Sequence, residues 1–414
     1  MSFGFCEYGN YDEGSFNMTE VVIVSACRSA IGKFGGSLKT LIGSQIAAHV
    51  MKEAVKRAGI DPATIGDVRF GCCLERCDEL NVARVAMLKA GIPQETPAVT
   101  IQRVCNSGME AIVSGANLIK SGYTDTVLAG GVESMSNTPI VSFDARWGVG
   151  GGRGYTNSNH TFVDSLYQGL HAGADIIMGL TAELIAEKWE LSREAIDEVA
   201  CRSHNNAEAA TQNGTFTEEI TPIEVPQYKK PPLIFDKDEQ FRPGMTMEIL
   251  SALPPAFKKD GKVTAGNASG INDGAAALIL MSKEHAESLG LTALATLADF
   301  GIAGVDPKYM GEGPIPATKK ALERANLNLQ DIELVECNEA FAATYLAAEI
   351  GVGWSRDIAN VNGSGVGLGH PVGCTGARIV VTLIHEMKRR DLHLGLATLC
   401  GGGGMGMTTI WRRD

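Results

Sequence analysis

The stretch Ile-Gln-Arg-Val-Cys-Asn-Ser-Gly-Met-Glu-Ala-Ile, residues 101–112, decides how the rest of the chain can be interpreted. An extended run leads to Cys105, and the apolar spacing of residues 109–119 predicts a helix. Cys105 therefore falls at a strand-to-helix corner, close to unpaired backbone N–H groups and the positive end of a helix dipole. A thiol at such a corner is expected to ionise readily, and the thiolate is the reactive form. On its own this pattern more often marks a buried structural cysteine, so a nucleophile needs partners elsewhere in the chain.

Length, charge and cysteine content narrow the class of protein. The 414 residues are enough for two or three packed units with a sizeable core. A net charge of −12 argues against nucleic acid as the main partner, although a local basic patch could still bind an anionic ligand. No apolar run reaches membrane-spanning length, so no membrane partner is expected. The ten cysteines lack framework spacing and lie in apolar patterns, which favours a reducing compartment and predicts a cytoplasmic protein.

Neither a metal site nor a targeting segment is expected. The group Cys72, Cys73 and Cys77 has no second Cys or His pair at zinc-site spacing, so we expect no metal. Residues 1–17 contain no Lys or Arg and no apolar core, which fits neither a secretory nor a mitochondrial presequence. We interpret residues 1–18 as an N-terminal extension and expect residues 1–17 to be dispensable for folding and activity.

Strand-like runs alternate with helical patterns along two parts of the chain, residues 21–129 and 273–399. In the first part the β-branched run 21–24 precedes a helical pattern at 45–58. The second part includes a strand-like run at 358–361. This alternation predicts a parallel sheet that is covered by helices on both faces.

Ser107 and Thr375 suggest that the two parts are related. Each is followed by Gly and opens a helix that leads to a strand and then to a Gly-Gly pair, which is the pattern of a duplicated βα unit. Residues 141–271 lie between the two parts and are rich in Gly, Asn and Pro. We interpret this segment as a loop-rich insertion that covers the sheet.

Four further stretches could carry chemistry. His370 lies in a Gly-rich loop, which we place at the end of a strand, and such a backbone lets a ligand approach closely. Cys400 ends a predicted strand and precedes four glycines, which expose a thiol and bare N–H groups at the ligand-binding edge of the sheet. Asn338 stands at a strand-to-helix turn, where an Asn is usually a helix cap. Residues 267–270 form a turn whose simplest interpretation is conformational.

Together with Cys105, these stretches resemble the thiolase family, and in particular its acetyl-CoA C-acetyltransferase type. The resemblance covers residues 19–412. The shared motifs, in chain order, are Val-Val-Ile-Val-Ser-Ala, Val-Cys-Asn-Ser-Gly-Met, Gly-Gly-Val-Glu-Ser-Met-Ser, Thr-Ala-Gly-Asn-Ala-Ser-Gly-Ile-Asn-Asp-Gly-Ala, Asn-Glu-Ala-Phe, Gly-His-Pro and Cys-Gly-Gly-Gly-Gly.

The resemblance implies an α/β protein with the thiolase fold, in which two duplicated βα units form a layered αβαβα core with an inserted loop domain. The expected divisions are the extension at 1–18, an N-terminal thiolase domain at 19–140 plus 272–294, the loop domain at 141–271 and a C-terminal thiolase domain at 295–414.

The resemblance also implies a role for each site residue. Cys105 would be the acylated nucleophile, His370 would take its proton, and Cys400 would be the acid/base at the substrate's α-carbon. Asn338, through a water, would stabilise the enolate oxygen with His370, and the N–H groups of Cys105 and Gly402 would form the second oxyanion site. Three residues would line the pantetheine and acyl pocket: Met178, Ala268 and Ser269. Five cations of the insertion could meet the phosphates of CoA: Lys229, Lys230, Arg242, Lys258 and Lys259.

The implied activity is reversible thiolytic cleavage of 3-ketoacyl-CoA, or Claisen condensation of acetyl-CoA, by ping-pong acyl transfer. Acyl-CoA and CoA would be the substrates and products, with no resident cofactor, and the protein would be a homo-oligomer, a dimer or tetramer, of fatty acid metabolism. Such chemistry needs a nucleophile that attacks and leaves well, a preorganised anion site and a second group that gives and takes a proton.

Two other interpretations share the fold. A decarboxylating condensing enzyme of the ketoacyl-synthase group would use a His-rich site, whereas Asn338 and a second cysteine at 400 argue against it. A catalytically silent thiolase-like subunit of a heteromeric complex would be free to lose the cysteines and histidine that this chain keeps. Departures from the family pattern leave the acyl-chain preference open; Ile177, for example, stands where short-chain thiolases often carry a His.

Overall fold

The computed structural model describes residues 19–142, 162–169, 171 and 175–414. The N-terminal extension and the Gly- and Asn-rich part of the insertion, residues 146–159, lie outside the described residues. The strands are β1 (Val21–Arg28), β2 (Gly32–Lys33), β3 (Asp67–Gly71), β4 (Ala98–Ile101), β5 (Thr126–Ser134), β6 (Ile140–Val141), β7 (Val163–Asp164), β8 (Ile223–Gln227), β9 (Lys230–Phe235), β10 (Asn272–Ser282), β11 (Ala295–Gly304), β12 (Leu334–Cys337), β13 (Leu394–Gly401) and β14 (Met405–Arg412). The helices are α1 (Gly43–Ala58), α2 (Val82–Ala90), α3 (Ser107–Lys120), α4 (Ser165–Gly169), α5 (Met178–Lys188), α6 (Arg193–Gln212), α7 (Met247–Ser251), α8 (Lys283–Ser288), α9 (Pro314–Ala325), α10 (Ala342–Val352), α11 (Gly365–Leu368) and α12 (Val372–Arg390).

One large sheet holds both halves of the chain, with its strands in the order β12-β13-β14-β11-β1-β10-β5-β3-β4 and β2 beside β10. The halves meet where β1 pairs with β11 over two residue pairs. Among the described strands, only β4–β3–β5 and β12–β13 pair in parallel. The prediction of a parallel sheet is therefore wrong, and the sheet is mixed. One reason lies at Gly403 and Gly404, whose positive φ values of 81° and 80° reverse the chain between β13 and β14 and make that pair antiparallel.

Two helices, α3 and α12, form the middle layer of the molecule. A Cβ on Gly108 of α3 would lie only 2.8 Å from the backbone N of Ala377 in α12, so the two helices touch through their backbones. Helices α1 and α2 pack on one outer face, and α9 and α10 on the other. Both halves of the sheet pack on α3 and α12, so each half forms one of the two β layers. This is the layered αβαβα core that was predicted from the resemblance.

The strands of this core carry apolar side chains on both faces because helices cover both faces of the sheet. In β5, Val127 and Ala129 point into the middle layer, whereas Leu128 and Val132 pack under α1 and α2. The sheet thus holds the carboxyl ends of β3, β5, β12 and β13 close to the N-termini of α3 and α12. No helix within the described residues is long and apolar enough to cross a membrane.

The strand predicted at 358–361 is absent from the described structure. Residues Arg356–Ile358 form a 3-10 turn, and Ala359 makes a single bridge to β12. Asn360, at φ 47°, uses its side-chain amide to accept from the backbone N–H of Cys337 and to donate to its carbonyl, both at 2.8 Å. These two bonds satisfy the edge of β12 where a further strand would otherwise pair.

Candidate active site

Cys105 stands at a tightly tied corner between β4 and α3. Val104 has φ 50°, a strained conformation for a β-branched residue. The hydroxyl of Ser107 holds this bend, because it accepts from the backbone N–H of Arg103 at 2.8 Å and donates to the carbonyl of Val104 at 2.6 Å. The thiol of Cys73 donates to the same carbonyl at 2.9 Å. The side chains of Ser107 and Cys73 thus stabilise the strained corner, and the corner places Cys105 in the wall of a cavity.

The thiol of Cys105 is harder to ionise than the corner suggests. Its pKa is raised to about 11, and burial is the main cause. The backbone N–H groups of Gly402 and of Cys105 itself lower the pKa, and the carboxylate of Glu133 raises it. The expectation of a readily ionised cysteine is therefore wrong for the resting site, because desolvation outweighs the helix N-terminus. The two N–H groups that favour the anion are those that were expected to form an oxyanion site.

His370 follows the short helix α11 and not a strand, so its expected placement is wrong. Gly369 has φ 103°, and a Cβ there would lie 2.7 Å from the side chain of Asn272. Asn272 in turn accepts from the backbone N–H of His370 at 2.9 Å. The ring is thus fixed at the end of a glycine-dependent bend, beside the amino end of β10.

Thr375 decides which nitrogen of His370 can act as a base. The imidazole Nδ1 lies 2.7 Å from the Thr375 hydroxyl, which donates to the carbonyl of Pro371 at 2.9 Å. With the Thr375 proton donated to Pro371, the hydroxyl oxygen accepts from Nδ1, and this tautomer puts the lone pair on Nε2. The 3.4 Å approach of the Asn338 amide nitrogen to Nδ1 is then not a hydrogen bond, since both nitrogens carry protons. Burial, with a smaller contribution from the positive charge of Arg378, lowers the pKa of His370 to about 3, so the ring is neutral near pH 7. No protein group forms a hydrogen bond with the buried Nε2 within the part of the chain that the structure describes.

Cys400 and Asn338 lie next to this pair. Cys400 is the penultimate residue of β13, and its pKa is raised to about 12. Burial is the main cause, nearby Cys105 acts in the same direction, and the hydroxyl of Thr344 acts in the opposite direction. Asn338 follows β12, and its amide nitrogen lies 3.4 Å from Nδ1 of His370. A Cβ at Gly365 would come within 2.7 Å of the Asn338 amide oxygen, so glycine is required here.

A cavity of about 490 Å³ brings most of the predicted site residues together. Cys105, His370 and Gly402 line it, as do the four residues predicted to contact substrate or CoA, namely Met178, Arg242, Ala268 and Ser269. Cys400 lies outside the wall itself, in an apolar cluster shared with the lining residues Met178, Ala268, Phe257, Met310, Ala340 and Phe341.

Only one of the five cations predicted to meet CoA, Arg242, lies in the cavity wall as the structure describes it. Its guanidinium donates to the carbonyl of Ala265 at 3.2 Å and remains exposed. Lys258 pairs with Glu187, and Lys229 and Lys230 lie at the exposed tip of the β8–β9 hairpin. The wall also contains Ile177.

Two family models match nearly the whole chain. The model described as "Thiolase, N-terminal domain" matches residues 21–284, and "Thiolase, C-terminal domain" matches residues 291–413. The chain belongs to the thiolase family. A curated relative, the acetyl-CoA acetyltransferase of Cupriavidus necator, is 49% identical to this thiolase over 404 residues, which cover 96% of the present chain and 100% of the relative.

Solved thiolase structures are similar over the same extent. The crystal structure of the Bacillus anthracis acetyl-CoA acetyltransferase has a TM-score of 0.92 at 49% identity, covering 95% of this chain and 99% of that one. Human mitochondrial 3-ketoacyl-CoA thiolase in complex with CoA has a TM-score of 0.90 at 39% identity, covering 96% and 98%. The family and fold predicted from the sequence are thereby confirmed, and this thiolase is an acyltransferase.

Three residues next to the thiolase site were not predicted. Thr375 was interpreted only as the start of a helix, Thr344 was not considered, and Glu133 was only one letter of a family motif. A threonine five residues after a histidine, at the first turn of a helix, is a signal that could have pointed to Thr375. Nothing in the local sequence reveals that Thr344 reaches Cys400, because the contact joins α10 to β13.

Proposed function

We propose that this thiolase cleaves 3-ketoacyl-CoA thiolytically, and condenses acetyl-CoA in reverse, through an acyl group carried on Cys105. The single observation that carries the proposal is one cavity wall that contains a thiol, a neutral imidazole and a glycine-rich turn whose N–H faces the thiol, with a second thiol immediately behind it. Each of these groups has a distinct task in making and breaking a carbon–carbon bond next to a thioester.

Acyl transfer begins with Cys105 as a thiol. Its sulfur attacks the C3 carbonyl of the substrate while the thiol proton passes to Nε2 of His370, which is neutral and carries the lone pair. The N–H groups of Cys105 and Gly402, which favour negative charge at this point, would hold the oxygen as it becomes an anion. Because the thiol pKa is high at rest, proton transfer has to accompany the attack.

Bond cleavage then releases an enolate of acetyl-CoA. As the C2–C3 bond breaks, its electron pair moves onto the α-carbon and the thioester oxygen. Asn338 and His370 would stabilise that oxygen, and the Cys400 thiol would protonate the carbon, a role that fits a group whose pKa of about 12 keeps it protonated. The resulting Cys400 thiolate takes a proton from incoming CoA, whose sulfur attacks the acyl group. Cys105 then leaves and regains its proton from His370.

CoA is substrate and product in this scheme, and no resident cofactor takes part. Arg242 is the proposed phosphate contact, and Met178, Ala268 and Ser269 are the proposed contacts for pantetheine and the acyl group.

We also propose a homo-oligomer in the cytoplasm, on the resemblance to thiolases and the free thiols. The division into domains at 19–140 plus 272–294, 141–271 and 295–414 is likewise a proposal, supported by the change of matched family model between residues 284 and 291.

Incubation with acetoacetyl-CoA and CoA, with loss of the 3-ketoacyl thioester followed by absorbance, tests this function. The wild type is expected to turn over, and Cys105→Ser to be inactive because a serine hydroxyl is a weaker and more basic nucleophile. Cys400→Ala should lose carbon–carbon cleavage but still be acylated slowly at Cys105. Turnover by the Cys105→Ser variant at the wild-type rate would refute the proposal.

A further inference from the structure

Glu133 is the penultimate residue of β5. Its side chain is 1% exposed, and no Lys or Arg pairs with its carboxylate in the described parts of the chain. Four donors surround it instead. The backbone N–H groups of Cys73, Leu74 and Gly373 lie at 3.0, 3.1 and 2.9 Å, and the thiol of Cys72 lies at 3.4 Å. Burial raises the pKa of Glu133, and these four donors act in the opposite direction. We take the carboxylate as ionised, because every neighbour within hydrogen-bond distance donates and none is placed to accept from a protonated carboxyl.

One donor belongs to the turn of the proposed base, and the other three belong to the loop after β3, which contacts the corner of the proposed nucleophile. On one side, the Cys73 thiol donates to the carbonyl of Val104, directly before Cys105. On the other side, Gly373 lies in the first turn of α12, three residues after His370. A Cβ at Gly373 would come within 2.8 Å of the carboxylate, so the turn can approach this closely only because glycine stands there. The carboxylate thus spans the gap between the corner of Cys105 and the turn of His370.

The charge of Glu133 also acts on Cys105. The titratable groups around Cys105 are Glu133 on β5, Cys73 after β3, His370 before α12 and Cys400 on β13. Burial raises the pKa values of Cys73 and Cys400 and lowers that of His370, so these three are uncharged near pH 7. Burial is the main cause that raises the pKa of Cys105, of Cys374 on α12 and of Cys72, and the carboxylate of Glu133 adds to it at each. Arg378 and Arg28 act in the opposite direction on Cys374, and Glu75 also raises the pKa of Cys72.

We propose that Glu133 is a positioning residue of this thiolase, which fixes the Cys105 corner against the His370 turn and places a negative charge near the resting thiol. This inference rests on the proposed function, since it takes Cys105 as the nucleophile and His370 as its base. Its consequence is that the resting enzyme resists alkylation and oxidation of Cys105, because thiols react far more slowly than thiolates.

Charge and position can be separated with two substitutions. Glu133→Gln removes the charge and turns an NH₂ group toward backbone N–H donors, so it should loosen one loop. Glu133→Asp keeps the charge but withdraws the carboxylate by one methylene. The measurements are kcat for thiolysis of acetoacetyl-CoA and the rate of Cys105 alkylation by iodoacetamide between pH 6 and 10, located by peptide mass mapping without CoA.

Both variants should lose about tenfold or more in kcat, because the two catalytic loops are no longer held together. Only Glu133→Gln should be alkylated faster, by roughly threefold at pH 8, which corresponds to a fall of about half a unit in the pKa of Cys105. A structural loosening alone would expose Cys105 in both variants, whereas a gain in alkylation that is confined to Glu133→Gln reports the lost charge.

Glu339→Gln is the matched control. Glu339 is another buried carboxylate, which accepts hydrogen bonds from Ser203, Asn360 and Val366. It is not among the groups that shift the pKa of Cys105. Its variant should leave the alkylation profile of Cys105 unchanged.

A wild-type alkylation profile in Glu133→Gln, or a wild-type kcat in Glu133→Asp, would overturn the proposal. If Glu133→Gln does not fold, Glu133→Asp decides the matter by its kcat. Failure of the proposed function would show as absent turnover in the wild type, whereas the alkylation comparison needs no turnover.

Discussion

At the scale of single residues, the proposed base depends on a hydroxyl. Thr375→Val keeps the shape of the side chain but removes the oxygen that accepts from Nδ1 of His370. The ring would then be free to carry its proton on Nε2, which cannot take one from Cys105. We expect kcat to fall by about 10²-fold, the usual worth of a positioned general base, with thermal stability little changed. Thr375→Ser keeps the hydroxyl, and steady-state assays should find it within a few-fold of wild type. Equal losses in the two variants would argue against this role of Thr375.

The same scale shows how far single residues can be predicted. Cys105, His370, Gly402, Met178, Ala268, Ser269 and Arg242 were all named from the sequence, and they line one cavity. The pKa of Cys105 was predicted in the wrong direction, because burial depends on the neighbours that the fold brings in and not on the helix that follows. Thr375 and Glu133 were missed for a related reason. Their importance lies in which atoms they face, and that is set by the packing of α12 against β5.

At the scale of elements, two glycines allow the start of β14 to touch the turn before α9. A Cβ on Gly406 would overlap the carbonyl of Gly313, so Gly406→Ala must push two backbone segments apart. We expect a loss of about 3 kcal/mol in the free energy of unfolding, measured by urea titration. Gly304→Ala is the control, since the nearest atom to its Cβ would be the carbonyl oxygen of Gly404 at 3.9 Å. That variant should stay within about 0.5 kcal/mol of wild type. A tolerated Gly406→Ala would mean that this contact is looser than described.

Elements with strong local signals were predicted well, and those that depend on pairing were not. The periodicity that predicted a helix at 45–58 corresponds to α1, which ends as expected before Gly59, whose φ is 67°. Strand direction was mispredicted, because β10 enters between β1 and β5 only after the insertion, and local alternation contains no information on that return. The apolar run at 358–361 looked like a strand, but Asn360 satisfies the edge of β12 with its side chain instead.

At the scale of the whole molecule, a buried ion-pair cluster ties the insertion to the sheet. Arg28 of β1 is fully buried and donates to Glu219 at 2.6 Å and to both oxygens of Asp238 at 2.8 and 3.0 Å. Arg28→Met would leave two buried carboxylates without their cation, so we expect a loss of about 3–5 kcal/mol on urea unfolding. Lys56→Met removes the cation of a pair with Glu53 whose lysine is 76% exposed, and it should cost under about 0.5 kcal/mol. Similar effects of the two changes would contradict the importance of the cluster.

Recognition of CoA by a protein of net charge −12 requires a local positive group, and Arg242 is the predicted cation in the cavity wall. Arg242→Gln should raise the KM for CoA several-fold with little change in kcat, because a phosphate contact holds substrate and transition state alike. The effect should shrink at high salt, since this guanidinium is exposed. Lys229→Gln, at the tip of the β8–β9 hairpin, is the control and should leave the KM unchanged. A rise in KM for Lys229→Gln alone would place CoA on the hairpin instead.

The central claim is that Cys105 carries the acyl group, and trapping that group tests it most directly. Wild-type protein would be mixed with acetyl-CoA, quenched in acid within seconds and mapped by peptide mass spectrometry, alongside Cys105→Ser and Cys400→Ala. We expect an acetyl group on Cys105 in the wild type, a slower gain at the same residue in Cys400→Ala, and no cysteine-bound acetyl group in Cys105→Ser. Acetylation of Cys400 in the wild type, with Cys105 unmodified, would contradict the account.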